Sequence, residues 1–212
     1  MASSEAHTWH ARVKVAVWLR ERLNNLTWGF LNMRRNSYLW IGAALCLGAV
    51  VVVAAGRQDK ASRPSPPAKA ECKLTGGQTV TVDYSSPRAK GRKIFGGIVP
   101  FDKVWRAGAN EATTFVTDTD LTVGGTAVPA GKYTLFTIPE ANKWTLIISK
   151  TTGEWGTAYS GPAADLARID MKVSKLPAPE ENFTIAFDQG EASCTMRMDW
   201  ETTRASVNVA KK

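Results

Sequence analysis

The sequence predicts an all-β domain, an antiparallel β-sandwich of about nine short strands, preceded by an N-terminal transmembrane or signal-anchor helix. Beyond residue 72, apolar and polar side chains alternate with a period of two, and glycine and proline separate the alternating runs. Such alternation is typical of strands with one buried face. The helix is predicted from residues 37–56, a stretch without Asp, Glu, Lys, Arg or His.

The alternation is clearest at residues 80–84, where Val80, Val82 and Tyr84 alternate with threonine and aspartate. Gly124 and Gly125 separate two further runs, and this spacing suits a two-residue hairpin turn, because both of its central residues need positive φ. No long amphipathic helix interrupts the pattern. The other predicted strands are residues 113–118, 120–123, 132–138, 144–149, 169–173, 183–187, 194–200 and 205–209.

The apolar run at residues 37–56 reads SYLWIGAALCLGAVVVVAAG. As an α-helix it would extend about 30 Å, the hydrocarbon thickness of a bilayer. Arg34 and Arg35 precede it, and positive charge is retained on the cytoplasmic side of a membrane. We therefore expect a single-pass inner-membrane protein with residues 1–36 in the cytoplasm and the C-terminal domain in the periplasm.

Two features of the N-terminal part leave alternatives open. Read from Met33, the sequence has the basic start, apolar core and small residues of a cleavable signal peptide. The domain would then be secreted to the periplasm, and residues 1–32 would reflect a start codon assigned too early. If residues 1–32 are translated, their pattern predicts a basic amphipathic segment that lies on the membrane surface or packs against another membrane protein. The alternative is a helix that extends the anchor and has no partner.

A charged, proline-rich linker is predicted at residues 57–71, followed by the β-domain at residues 72–212. Cys72 lies near the start of this domain and Cys194 near its end. An oxidising exterior permits a disulfide between them, which would tie the two ends of the domain together. Two buried free thiols are the alternative.

The composition of the domain excludes several kinds of site. The two histidines, His7 and His10, precede the apolar run, so histidine-dependent nucleophilic catalysis and histidine metal sites are excluded from the domain. Two cysteines are too few for a zinc site, and no glycine-rich phosphate loop is present. We expect neither a metal nor a cofactor.

Positive charge in the domain is concentrated between residues 87 and 106, where six Lys or Arg residues accompany a single acid, Asp102. Polar loops on a rigid β-scaffold commonly carry binding residues, and arginine suits carboxylate or phosphate. Trp105, Asn110 and Glu111 add a stacking surface and hydrogen-bonding groups. The alternative is a structural crossover with internal salt bridges and a core tryptophan. The predicted binding residues are Arg88, Lys90, Arg92, Lys93, Trp105, Arg106, Asn110 and Glu111.

These features predict a membrane-anchored extracytoplasmic binding or interaction module, either a ligand binder or an accessory subunit of a membrane protein complex. The expected partners are anionic lipid, acidic glycan or an acidic protein face, and not nucleic acid, which is an improbable partner outside the cytoplasm. The alternative is a periplasmic hydrolase or lyase. An enzyme of that kind should gather Asp83, Tyr84, Arg88, Arg106 and Glu111 around one concave pocket.

Two long stretches, VTVDYSSPRAKGRKIFGGIVPFDKVWRAGANEATTF and DLTVGGTAVPAGKYTLFTIP, closely resemble a bacterial family of unknown function, number 2911. The likeness continues through KWTLIISKTTGEWG and DWETTRASVNV and covers roughly residues 72–209. The resemblance implies a secreted or membrane-attached β-sandwich domain, and it implies no activity. The extension before Met33 departs from the family pattern.

Overall fold

The structure, a computed structural model, describes residues 59–212, which form one compact unit. The helix predicted at residues 37–56 and the basic segment predicted at residues 1–36 lie outside the described residues. In the described range no helix is long and apolar enough to cross a membrane. The strands are β1 (Pro67–Lys73), β2 (Thr79–Ser85), β3 (Thr113–Thr117), β4 (Leu121–Val123), β5 (Thr126–Val128), β6 (Gly131–Pro139), β7 (Lys143–Ser149), β8 (Asp165–Gln189) and β9 (Ser193–Lys211).

All nine strands pair antiparallel in one hydrogen-bonded sheet, in the order β1-β2-β3-β6-β7-β8-β9-β4-β5. The all-β, antiparallel class predicted from the sequence is confirmed. Two short 3₁₀ turns, Lys60–Ser62 and Pro162–Ala164, are the helical elements of the described part of the chain.

The long strands β8 and β9 each contain two of the strands predicted separately. The stretch between the two halves of β8 is polar and contains Pro177 and Pro179, which have no N–H to donate to a sheet. Pairing with β9 shifts register on both sides of Glu180. The backbone nevertheless stays extended, so β8 and β9 form one long hairpin.

Strand β1 begins at Pro67, inside the segment predicted as a linker at residues 57–71. It pairs with β2 along its whole length, from Pro67 opposite Ser85 to Lys73 opposite Thr79. Its inward positions are Ala68, Ala70 and Cys72, which are small, while Lys and Glu take the outward positions. The apolar alternation is therefore weak in the sequence, and the domain begins before residue 72.

The outer end of the β8–β9 hairpin lies against β1. A disulfide joins Cys72 and Cys194, whose Cα atoms are 6.4 Å apart, so the predicted pairing is confirmed. The Gln189 side chain donates to the carbonyl of Lys73 at 2.7 Å and accepts from its amide at 3.3 Å. Gln189 thus hydrogen-bonds the backbone of β1 as a neighbouring strand would.

The core between these elements is rich in aromatic side chains. Trp105 stacks on Trp200 with ring centroids 5.9 Å apart, and Phe95, Trp144 and Phe183 pack around the pair edge-to-face or tilted. The indole N–H of Trp200 donates to the carbonyl of Glu181 at 3.2 Å. This cluster fixes the crossover segment between β2 and β3 (residues 86–112), which carries all eight predicted binding residues.

Candidate functional site

The structure distributes the eight predicted binding residues over three environments. Trp105 and Arg106 lie in or beside the core, Arg88, Lys90, Arg92 and Lys93 belong to an outer loop, and Asn110 and Glu111 stand beside a cleft. The single site expected from the sequence is therefore divided.

Trp105 is buried in the aromatic core, with 8% of its surface exposed, so it offers no free face for a ligand. Its backbone pairs with Thr137, which fixes it to β6. The neighbouring Arg106 is partly buried, and its Nε has no hydrogen-bond partner among the described residues. Burial lowers the pKa of Arg106. Trp105 therefore supports the fold of the crossover, whereas Arg106 stays partly exposed beside the core.

The basic residues of the outer loop form hydrogen bonds with neighbouring backbone. Arg92 donates to the carbonyls of Ala89 at 2.9 Å and Arg88 at 2.6 Å, and Arg88 donates to Ser86. Within residues 59–212 none of Arg88, Lys90, Arg92 and Lys93 forms a salt bridge. Internal ion pairs, the structural alternative, are therefore absent at these four basic residues in the described part of the chain. That alternative does describe two other residues of the crossover: Trp105 lies in the core, and Glu111 pairs with Lys60 and Arg63.

A cleft of about 310 Å³ opens beside Glu111, large enough for a small molecule. Strands β2 and β3 form one wall, the segment before β1 forms another, and the β7–β8 loop (residues 150–164) forms the rim. The lining residues are Lys60, Arg63, Pro67, Asp83, Tyr84, Ser85, Glu111, Ala112, Thr114, Gly153, Glu154 and Trp155.

The rim residues Glu154 and Trp155 are held against the crossover by backbone hydrogen bonds. Ala112 donates to the carbonyl of Glu154, and Gly156 donates to the carbonyl of Asn110, each at 3.1 Å. Gly156 and Gly153 have φ of 66° and 80°, a conformation that glycine adopts without strain. Trp155 is therefore fixed in place although 60% of its surface is exposed.

Glu154, one of the residues that line the cleft, has an unpaired acceptor atom. Its Oε1 accepts a hydrogen bond from the Ser160 hydroxyl at 2.6 Å. Its Oε2 is buried and has no hydrogen-bond partner among the residues described. A buried carboxylate oxygen without a donor is costly, and native structures seldom leave one unpaired. An N–H or O–H donor from outside the described residues would satisfy it.

Glu111 forms one side of the cleft together with two cations that pair with its carboxylate. Arg63 Nη1 lies 3.0 Å from both carboxylate oxygens, and Lys60 Nζ lies 3.2 Å from Oε1. Burial alone would raise the pKa of Glu111, but hydrogen bonds from its own amide, Arg63 and Lys60 outweigh burial and lower the pKa to about 2. The segment before β1, predicted as linker, is thus attached to the cleft.

The depressed pKa of Glu111 predicts a pH-dependent contribution to stability. Because the pKa of Glu111 is lower in the folded state than in the unfolded state, its ionised form stabilises the fold. This contribution is complete above the unfolded pKa of 4.5 and is lost as the pH falls towards 2. Because 37% of the side chain is exposed, we discount the effect to about 1 kcal/mol. Glu111→Gln should therefore lower the free energy of unfolding by that amount at neutral pH and progressively less below pH 4.5.

Urea unfolding of both proteins across this pH range measures the difference. Glu71→Gln is the matched control, because Glu71 forms an exposed pair with Lys69 at 3.7 Å. Its effect should stay below about 0.5 kcal/mol. An equal effect of the two substitutions at neutral pH would contradict the assignment.

Strained backbone accumulates in the crossover. Four of the five non-glycine residues with positive φ in residues 59–212 lie there: Lys90, Asp102, Ala107 and Asn110. Such conformations are retained where the surrounding structure enforces them and are concentrated at functional sites. Asn110 tolerates this conformation best, and its amide donates to the carbonyl of Ser65 at 3.0 Å. Most of the strained non-glycine backbone of residues 59–212 therefore lies in the crossover.

Of the five residues that the enzyme alternative requires in one pocket, Asp83, Tyr84 and Glu111 line the cleft, whereas Arg88 and Arg106 do not. The Tyr84 hydroxyl accepts from the amide of Ile185 at 3.1 Å and donates to its carbonyl at 3.3 Å. Tyr84 is therefore engaged with the backbone of β8. Residues 59–212 contain no group of three or more His, Cys, Asp or Glu arranged to hold a metal.

The binding residues predicted from the sequence do not include four residues of the cleft, Lys60, Arg63, Glu154 and Trp155. Lys60 and Arg63 fell in the predicted linker, where charge indicates solvent. Trp155 had a usable signal, since it stands in the polar stretch TTGEWG between two glycines. An aromatic residue surrounded by turn-forming residues has no apolar neighbours in the sequence that would be buried with it in the core.

A family model described as "Protein of unknown function (DUF2911)" matches residues 65–209. No curated protein matches the chain, and no solved structure matches it. The matched region includes the crossover and the β7–β8 loop.

Proposed function

Because the chain belongs to this family of unknown function, we propose its function from its own geometry: it is a membrane-anchored extracytoplasmic module that binds a small carbohydrate in the cleft. The observation that carries the proposal is the buried, unpartnered Oε2 of Glu154 next to the exposed ring of Trp155.

The two features select a ligand with two kinds of surface. Glu154 Oε2 requires a donor, which a hydroxyl or an amine supplies. The Trp155 indole offers a flat apolar face on which the C–H face of a sugar ring stacks. Sugars combine both surfaces, and the cleft volume fits a ligand of this size.

The charges of the cleft refine the ligand class. Asp83, Glu111 and Glu154 provide three carboxylates, and two of these are not paired with a cation in the described part of the chain. Lys60 and Arg63 are both committed to Glu111. An acidic sugar would be repelled, so we infer a neutral or amino sugar.

The location and the sandwich arrangement are part of the same proposal. The Cys72–Cys194 disulfide supports an oxidising compartment, as the periplasm provides. The apolar run at residues 37–56 would anchor the domain there with the N-terminus in the cytoplasm. The edge-to-face contact of Tyr84 in β2 with Phe183 in β8, 5.8 Å between ring centroids, supports a sandwich whose two halves belong to one sheet.

Trp155→Ala and Glu154→Gln should each weaken sugar binding about tenfold or more. Loss of the ring removes stacking and buried apolar area, and Gln removes the charge that strengthens the hydrogen bond. A panel of neutral and amino sugars is screened first by tryptophan fluorescence, and the best ligand is then titrated calorimetrically. The proposal would be overturned if no sugar in the panel bound the wild type, or if both variants bound the sugar as the wild type does.

Matched controls separate the cleft from general surface effects. Val116→Ala truncates another exposed apolar side chain, and Glu71→Gln neutralises another exposed carboxylate. Neither residue lines the cleft. Both variants should bind the sugar with wild-type affinity, and a similar loss in the controls would show that the binding is not at this site.

A further inference from the structure

The outer part of the crossover, residues 88–103 (the basic loop), presents two large apolar side chains to solvent. Ile98 is 47% exposed and Phe101 is 38% exposed. Phe101 lies over the backbone at Gly96, because a Cβ at that glycine would come within 2.9 Å of the Phe101 ring. The same Cβ would lie 3.8 Å from Cε of Lys93. Apolar and cationic groups therefore share one surface.

The loop holds Ile98 outward in a fixed conformation. Gly97 and Val99 donate to the carbonyl of Ile94 at 3.1 and 3.0 Å, and Ile98 donates to the carbonyl of Lys93 at 3.3 Å. Ile94 and Val99 are buried in the core. No other residue fits at Gly97, since a Cβ there would lie 2.2 Å from the Lys93 carbonyl. Because the tip is already ordered, little conformational entropy remains to be lost on binding.

The basic loop carries four exposed cations, and Asp102 is its one acidic residue. The cations are Lys90, Arg92, Lys93 and Lys103. None of them is in a salt bridge with a carboxylate of residues 59–212. The Arg92 guanidinium is braced by two backbone carbonyls, which orients it without neutralising its charge.

From this geometry we propose that the basic loop is a second binding site, which docks on anionic phospholipid headgroups and inserts Ile98 and Phe101 into the membrane interface. An acidic protein or an acidic glycan would match the cations but would leave the two apolar side chains in water. A bilayer surface matches both, because anionic headgroups lie directly above an apolar layer. Lysine and arginine stems also pack favourably along such an interface.

The inference goes beyond sugar binding and uses only the anchor from the proposed function. On that topology the apolar run ends at residue 56 and Lys60 is already paired with Glu111, so the free connection of about four residues reaches at most about 15 Å. A tether of this length raises the effective concentration of the bilayer at the loop. A weak intrinsic affinity for the bilayer, to which each cation near the surface contributes a factor of about five, then suffices for docking.

The test uses the full chain in lipid nanodiscs of phosphatidylcholine, with or without phosphatidylglycerol. Ile98→Cys in a Cys46→Ser background carries an environment-sensitive fluorophore, and Cys72 and Cys194 stay protected in their disulfide. We expect a blue shift in the anionic nanodiscs, none in pure phosphatidylcholine, and reversal at high salt. Val116→Cys, labelled in the same way on an exposed position of β3, should show no shift in either lipid.

The charge dependence is tested with Lys90→Gln, Lys93→Gln and Lys103→Gln combined, which spares the braced Arg92. Docking should weaken about a hundredfold, while formation of the Cys72–Cys194 bridge, checked by non-reducing peptide mapping, should be unchanged. An unshifted label at residue 98, a shift equal in both lipids, or a shift retained by the triple variant would each overturn the inference.

The failures of the two proposals are distinguishable. Trp155→Ala should leave docking intact, because Trp155 lies outside the basic loop. A chain that does not insert into nanodiscs would overturn the prediction of a membrane anchor. Flotation of that chain with vesicles of the same two compositions would still test whether the basic loop docks on anionic lipid. A partner protein retained at low salt without a shift of the label would identify an acidic protein face as the target instead of lipid.

Discussion

Removing the Cys72–Cys194 disulfide is expected to lower the free energy of unfolding by about 4–5 kcal/mol. The bridge joins residues 122 apart, and in the chain-entropy model a loop of that length restricts the unfolded chain by about this amount. The bridge also joins β1 to the start of β9, where the other hydrogen bonds to the β8–β9 hairpin are those of Gln189 and one from Thr75 to the carbonyl of Glu191. No backbone ladder joins the two strands at this end.

The double variant Cys72→Ala/Cys194→Ala tests this expectation by urea unfolding. Alanine is used instead of serine because serine would place an unpaired hydroxyl at two positions that are almost fully buried. The wild type treated with reductant should approach the stability of the double variant. Cys46→Ser is the control, since Cys46 precedes the domain, and it should match the wild type. A double variant as stable as the oxidised wild type would contradict the prediction.

The elements predicted well from the sequence are those whose burial alternates between large apolar and polar side chains. Strand β2 is an example, with Val80, Val82 and Tyr84 turned inward as expected. Strand β1 was missed because its inward residues are alanine and cysteine, which carry little apolar signal. The continuity of β8 was missed because Pro177 and Pro179 usually end a strand.

The candidate site was predictable only in part, because sequence shows residue type but not direction. Trp105 and Trp155 each stand next to a charged residue in the sequence, yet the first is enclosed by Phe95, Trp144 and Trp200 and the second is exposed. Glu111, which lines the cleft, was among the predicted binding residues. Its cationic partners were not, because a contact across 48 residues leaves no local pattern.

Asp199→Asn is expected to destabilise the fold by about 3 kcal/mol. Asp199 is almost fully buried and accepts two hydrogen bonds from Arg204, at 2.8 and 2.7 Å, and a third from Arg197. Hydrogen bonding to Asp199 raises the pKa of Arg204. Neutralising the shared acid leaves two guanidinium groups without their common partner, and breaking such a buried group costs about 3–5 kcal/mol.

We expect the lower end of that range because the arginine side chains keep 24% and 34% of their surface exposed, so water can solvate part of the released charge. The position of the cluster explains why the loss should affect the whole fold. Asp199 pairs with Thr184 next to the register shift between β8 and β9. The ion cluster therefore ties residues on both sides of the irregular part of the longest hairpin.

Asp188→Asn provides the matched control, because the exposed Asp188 also pairs with Arg197, at 2.9 Å. Its removal should cost less than about 1 kcal/mol, since water replaces an exposed carboxylate easily. Equilibrium urea unfolding at neutral pH compares the two variants. If they lost the same stability, burial of Asp199 would not be the cause, and the hairpin would have to be held by its backbone pairing and by the aromatic core around Trp200.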